Sequence, residues 1–316
     1  LTKLALKSIN TPAIAHHDHP SFVNSVPGWV DIGYDIFGAS NEDFALADCL
    51  FISGTDPFET KTVLWNSWIL KGIHGNKSNV IMVNPRKTAG AAYAEKHGGL
   101  HLDVNPGSDT AVHMAIERII LENGWEDSEF IAKWVNNFWE TDSGFGQGTR
   151  NTPWQWRTTW GKFQTKGFDD WKKWLLSQDE FKLENATKVT GVDAKKIRTA
   201  AEWMAKPSGL KRPKTSVMIE KGLYWSNNVG NTQAISALGI IVGAGGRPGQ
   251  VIGRAGGHQR GGQRGGKYPR NKSPMKVPGR RRRALDTDTY MISGHTRLPH
   301  VIGTTWIQSM CGSQQL

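Results

Sequence analysis

Asp48-Cys-Leu-Phe-Ile-Ser-Gly-Thr-Asp-Pro57 is a short, nearly continuous apolar run that breaks into a glycine turn, with proline placed at the first position of a helix. A run without polar alternation is what a strand needs when both of its faces are covered, as in a parallel sheet. Apolar residues then recur at helical spacing from Phe58 to Lys71. The same order repeats twice. Asn79-Val-Ile-Met-Val83 is a strand, closed by Asn84-Pro-Arg-Lys-Thr88 and followed by an Ala-rich helix. Leu100-His-Leu-Asp-Val104 is the third, closed by Pro106-Gly-Ser-Asp109, with Ser108 or Asp109 as N-cap of a helix carrying Ala111, Val112, Ala115, Ile116, Ile119 and Ile120. Strands alternating with helices at this spacing predict an α/β fold, a doubly wound and mostly parallel sheet with flanking helices and right-handed crossovers.

The pattern stops between Asn137 and Gly167, a stretch rich in Gly, Thr, Gln and Trp, and seven of the 14 Trp lie between Trp134 and Trp174. Large rings pin irregular segments by burial, which is the simpler reading than a base-stacking platform. Helices resume near Asp179. Thr190-Gly-Val-Asp193 and the residues after it have the spacing of a helix-turn-helix, but a capped helix burying Ile197, Ala200, Ala201 and Met204 accounts for them equally well. Thr215 to Glu220 reads as another buried strand, and Asn231 to Val242 as an apolar helix ending at Gly243-Ala-Gly-Gly-Arg-Pro-Gly249. The Gly-rich residues beyond read as loop, with strands resuming at Tyr290-Met-Ile and from Val301 to Met310.

The chain has 316 residues, 38% hydrophobic and 21% charged, enough apolar material for a core and too little charge for disorder. That length suggests about two domains. No apolar run approaches the roughly 20 residues that span a bilayer, so no membrane span is expected. Two cysteines, Cys49 and Cys311, cannot make a disulfide framework, a four-cysteine zinc site or an iron–sulfur cluster alone. No targeting signal is visible, and both ends read as cut from something longer.

The net charge of +11 invites a nucleic-acid reading. Between Arg247 and Arg297, however, ten Arg and three Lys face two acids, which accounts for the whole of it. Arg260-Gly-Gly and Arg264-Gly-Gly resemble RNA-binding triplets, but they are only two and lack interleaved aromatics, so no nucleic-acid partner is expected. His16-His17-Asp18-His19 has metal-chelating composition in one compact loop and reads more simply as polar surface.

In open α/β sheets, ligands bind where loops leave the carboxyl ends of the strands. Gly54-Thr55-Asp56-Pro57, Asn84-Pro85-Arg86-Lys87-Thr88 and Pro106-Gly107-Ser108-Asp109 are three such loops. Glycine lets the backbone approach a phosphate, a helix start offers free N–H groups, and a guanidinium forks onto phosphate oxygens. Asp109 suits the paired donors of a guanine edge. Three in succession favour a nucleotide-containing cofactor. The dinucleotide and P-loop glycine signatures are missing, which disfavours a standard NAD turn or ATP on a P-loop.

The ordered motifs Leu46-Ala-Asp48, Gly54-Thr-Asp-Pro57, Val83-Asn-Pro-Arg-Lys-Thr88, Pro106-Gly-Ser-Asp-Thr110 and Gly246-Arg-Pro-Gly249 resemble the molybdopterin oxidoreductases of the dimethyl sulfoxide reductase type. Glu220-Lys-Gly-Leu-Tyr-Trp-Ser-Asn-Asn228 and Arg254-Ala-Gly-Gly-His-Gln259 are similar to the arsenite oxidase and iodate reductase branch. The resemblance implies an internal fragment of a longer catalytic subunit carrying molybdenum bis(molybdopterin guanine dinucleotide), with an iron–sulfur cluster in an amino-terminal part. It places cofactor contacts at Gly54, Thr55, Asp56, Asn84, Arg86, Thr88, Asp109, Lys221 and Gly222, and substrate-funnel roles at Arg254 and His258. Without it, His258 reads as a loop histidine bonded to backbone. It also implies three regions: 1–47 in a funnel domain, 48–215 binding nucleotide with a Trp-rich insertion near 137–167, and 216–316 returning to the funnel with a basic loop at 247–297. A Rieske-type electron-transfer subunit and a periplasmic location are implied in the same way.

Departures separate the two relatives. Asn84 stands where the family commonly has Asp, and an amide still donates and accepts at ribose or guanine. After Asn24-Ser25, the stretch Val26 to Asp35 lacks the His and Glu that the resemblance associates with arsenite oxidases, and it lacks a Cys ligand. Half of the arsenite constellation is therefore absent, and the expected substrate leans to iodate over arsenite. The basic segment would concentrate positive potential near an anion funnel. A cofactor-binding subunit without turnover is the remaining alternative.

Overall fold

In the computed structural model, the described residues are 4, 8–9, 40–135, 167–224, 229–255, 293–294 and 297–303. The chain divides into two compact units, one formed by Ser25–Gly257 and one by Leu1–Asn24 with His258–Leu316. The first contains the sheet.

Five strands, β1 (Cys49–Ser53), β2 (Asn79–Val83), β3 (Leu100–Leu102), β4 (Thr215–Ile219) and β5 (Ile252–Arg254), form one sheet in the order β3-β2-β1-β4-β5. Every pairing is parallel. β1 is central, with Cys49 opposite both Asn79 and Thr215, and Ser53 opposite both Val83 and Ile219.

The helices used below are α1 (Asn41–Leu46), α2 (Ala89–Lys96), α3 (Asp109–Glu122), α4 (Gly167–Ser177), α5 (Leu183–Thr190), α6 (Ala194–Ala205) and α7 (Val229–Ile241). Alternate residues of β1 feed two cores. Cys49 and Phe51 join Val217, Ile219 and the inward residues of α3, α4, α6 and α7. Leu50 and Ile52 join Met218, Phe44 of α1, Ala91 and Ala94 of α2, and Trp65 and Ile69. With both faces covered, a polar strand residue needs a buried hydrogen-bond partner, which explains the nearly continuous apolar run.

Several elements differ from the sequence expectation. Residues 57–76 form short α and π turns instead of one helix, because Lys61 leaves the helical region at φ −141 and ψ 57. β3 ends at Leu102, two residues early. The residues Ile252–Arg254, read as loop, are a buried strand that completes the sheet edge. Strands from both sides of the expected division at 215/216 share the sheet. Residues 301–303 carry no strand, and the rest of that expected element, with Tyr290-Met-Ile, the Trp-rich stretch 137–166 and the triplets after Arg254, lies outside the described residues. On α6, Ile197, Ala200, Ala201 and Met204 are all buried. The capped-helix reading of that segment accounts for it.

Candidate cofactor-binding site

The strand order reverses direction at β1. From it the chain steps to β2 and β3 on one side, and later to β4 and β5 on the other. Between β1 and β4 the strand order changes direction, and such a switch point is where open α/β sheets hold ligands. Gly54-Thr55-Asp56 leaves β1 there, and Glu220-Lys221-Gly222 leaves β4.

The two loops are locked together. Gly222 N–H donates to the Gly54 carbonyl at 2.9 Å, and Glu220 N–H to the Ser53 carbonyl at 3.2 Å. A Cβ on Gly54 would lie 2.4 Å from Leu223 N, and φ there is +71. A Cβ on Gly222 would lie 2.7 Å from the Gly54 oxygen. Both positions therefore need glycine so that the loops can touch.

Some expected site residues build the loops. Asp56 is buried and accepts from Phe58 N–H at 2.8 Å and from Gly90 N–H at 2.9 Å, capping the turn after β1 and the start of α2 at once. Thr88 caps α2 by accepting from Ala91 N–H at 3.2 Å. Asn84 is buried, and its amide donates to the Thr55 carbonyl at 3.3 Å. His101 reaches the Asn84 carbonyl at 3.0 Å. Thr55 is buried beside them.

Others stand at the surface of the same edge. Arg86 is 68% exposed and pairs with Glu59 at 3.2 Å. Lys221 and Gly222 are exposed. Asp109 opens α3 and is half-buried, and burial raises its carboxyl above the usual range while its own backbone hydrogen bond opposes that. Ser108 makes no side-chain cap and donates instead to the Asn105 carbonyl at 2.7 Å.

Arg254 ends β5 opposite Ile219, and its guanidinium is buried against Glu220 at 2.5 Å. The carboxylate was invisible in the sequence as a partner, because nothing local to β4 announces that a cation 34 residues later will sit beside it. His258 lies outside the described residues, as do His16 to His19 and Val26 to Asp35.

The family model for molybdopterin oxidoreductases matches residues 9–310. The chain belongs to the molybdopterin oxidoreductase family. Iodate reductase subunit IdrA of Denitromonas iodatirespirans is 49% identical over 100% of this chain, which covers 35% of that protein. The IdrA of Pseudomonas sp. (strain SCT) is also 49% identical, again with 35% covered. Arsenite oxidase subunit AioA of Herminiimonas arsenicoxydans is 30% identical over 82% of this chain, covering 30% of that protein. Acetylene hydratase from Pelobacter acetylenicus aligns in structure over 75% of this chain and 26% of its own, with TM-score 0.49 and 18% identity. The chain thus spans about a third of the curated relatives it matches most fully.

The molybdopterin family implies a molybdenum–pterin cofactor, and the switch-point edge fits a phosphate-bearing group. It offers exposed cations at Arg86 and Lys221, a half-buried carboxyl at Asp109, and two glycines whose contact leaves the loop backbone bare of Cβ atoms.

Proposed function

We propose that this chain is the central part of the catalytic subunit of a molybdenum enzyme that carries two pyranopterin guanine dinucleotides and reduces a small oxyanion, iodate in preference to arsenite. The observation that carries the reading is the 49% identity to IdrA along 100% of the chain, against 30% along 82% for AioA. The bound molybdenum supplies two-electron oxygen-atom transfer.

The chain's own residues bind and orient. Arg86 and Lys221 take nucleotide phosphates, Gly54, Thr55 and Gly222 let the backbone approach, and Asp109 accepts from a guanine edge. Asp56, Asn84 and Thr88 hold the loops in place through the bonds described above. Arg254 is fixed by Glu220 on the anion side, and His258 exchanges protons. Iodate losing one oxygen takes up two electrons and two protons and releases iodite and water. In this reading, electrons come through an iron–sulfur cluster in the amino-terminal part and a Rieske-type partner, and the relatives' being called subunits supports an assembly of more than one chain. A periplasmic location and a basic, anion-attracting segment after Arg254 belong to the same proposal.

The test is to compare iodate-dependent oxidation of reduced viologen with arsenite-dependent dye reduction in the purified full-length subunit. Turnover of iodate above arsenite is expected. Arsenite turnover without iodate turnover reverses the substrate assignment.

A further inference from the structure

α3 is buried all round from Val112 to Leu121, and two of those residues are ionisable groups deep in the interior: His113 and Glu117, both 0% exposed. Thr110, His113 and Glu117 repeat at helical spacing and share one stripe of α3. At its outer end, the Thr110 hydroxyl donates to the Asn231 side chain of α7. One turn in, His113 Nε2 lies 3.2 Å from Ser53 Oγ, and the imidazole stands edge-on to Phe51 with ring centroids 5.6 Å apart. Another turn in is Glu117.

Neither oxygen of Glu117, nor Nδ1 of His113, has a hydrogen-bond partner among the described residues. Ser236 Oγ on α7, the helix packed against α3, is in the same position. Buried polar atoms are satisfied by protein or by ordered water, which interiors hold at about one molecule per 27 residues. Neighbouring charges do not supply the partner. α7 carries no ionisable residue. Lys172 of α4 is engaged by Glu126, and Lys196 of α6 by Asp103. Arg118, next along α3, goes to Glu122 and to the Gln178 carbonyl. Glu184 and Lys188 of α5 are exposed.

We propose that the His113–Glu117 stripe is a buried proton- and water-binding site, in which Glu117 carries a proton at neutral pH and ordered water joins its carboxyl to His113 Nδ1. Burial, the one cause acting on either group, agrees: it holds the Glu117 carboxyl well above its usual range and pushes the His113 imidazole down to about 3. A neutral pair suits water better than a metal cation. The stripe meets β1 at Ser53, the residue before Gly54, so it ends one residue from the candidate cofactor loop.

The test uses infrared spectroscopy on the full-length holoenzyme and its Glu117→Gln variant, with no dependence on turnover. A protonated-carboxyl stretch present at pH 7 in the parent and missing from the variant is expected; its absence from the parent overturns protonation. The unfolded chain gives up the Glu117 proton near pH 4.5, while the folded protein keeps it to a higher pH. The contribution of Glu117 to stability therefore falls as pH rises across that window, opposite in sign to that of His113, and Glu117→Gln should shift the slope of Tm against pH in the positive direction there. An unchanged slope counts against the proposal. A high-resolution crystal structure decides hydration: water bridging Glu117 and His113 Nδ1 supports it, and a dry site or one closed by another side chain overturns it.

Discussion

Arg254 at the end of β5 and Glu220 just past β4 form a buried ion pair, N to O 2.5 Å, with side chains 5% and 9% exposed. β4 and β5 are already parallel neighbours through Ile219 and Arg254. The pair extends that pairing one step beyond the sheet, into the loop that also clasps Gly54. A residue expected to face substrate is thus first a fastening between the sheet edge and the loop around the candidate cofactor.

Removing one member leaves the other charge buried. Arg254→Ala should cost about 3–5 kcal/mol, and Arg254→Met with Glu220→Met much less, because both charges then leave the interior together. Thermal or urea unfolding of the full-length subunit measures both. Equal losses in the single and double variants would contradict this account.

Asp56 caps two helical starts with one carboxylate. Asp56→Ala should lower stability by about 1–3 kcal/mol, since each lost cap costs roughly 1 kcal/mol and Gly90 N–H becomes unpaired. A change in urea midpoint with constant m-value reads it.

Gly222→Ala places a Cβ 2.7 Å from the Gly54 oxygen, and backbone faces backbone there. The loops must separate. The expected outcome is protein that folds with reduced molybdenum content, measured against wild type by elemental analysis. Full molybdenum content would show that the clasp does not matter to the cofactor.

His113 supplies an acid limit to stability. Its imidazole is neutral in the folded protein down to about pH 3, whereas the unfolded chain takes up a proton near 6.5. The unfolded state binds more protons across that window, so stability is lost as pH falls through it, at up to about 1.4 kcal/mol per unit. His113→Gln should remove this component, and Tm against pH from 7 to 4 measures it.

β1, β2 and β4 were legible because strands covered on both faces are mostly apolar, and the sequence shows that directly. Pairing of β4 with β1 was not legible, since it joins residues 166 apart through backbone bonds that leave no local pattern. β5 was hidden by its three-residue length within glycine-rich surroundings. The same limit applies to the site. Gly54, Arg86 and Asp109 were expected from residue type and loop position, and Lys221 from the family resemblance alone. Glu220 and Glu117 were not: one needs a partner from another strand, and the other needs to be known as buried, which no local pattern states. α3 has no solvent side there, because α4, α5, α6 and α7 pack around it.

The central claim is that the loops at the β1/β4 switch point grip a guanine-dinucleotide pterin. Lys221 is exposed, so Lys221→Glu reverses a charge at that edge without opening the core. The direct measurement is molybdenum and acid-released GMP per full-length subunit, in wild type and in this variant, with far-UV circular dichroism confirming that both are folded. The account predicts both components in wild type and a several-fold loss of both from folded variant. Wild type without GMP, or a variant retaining full GMP and molybdenum, would contradict it.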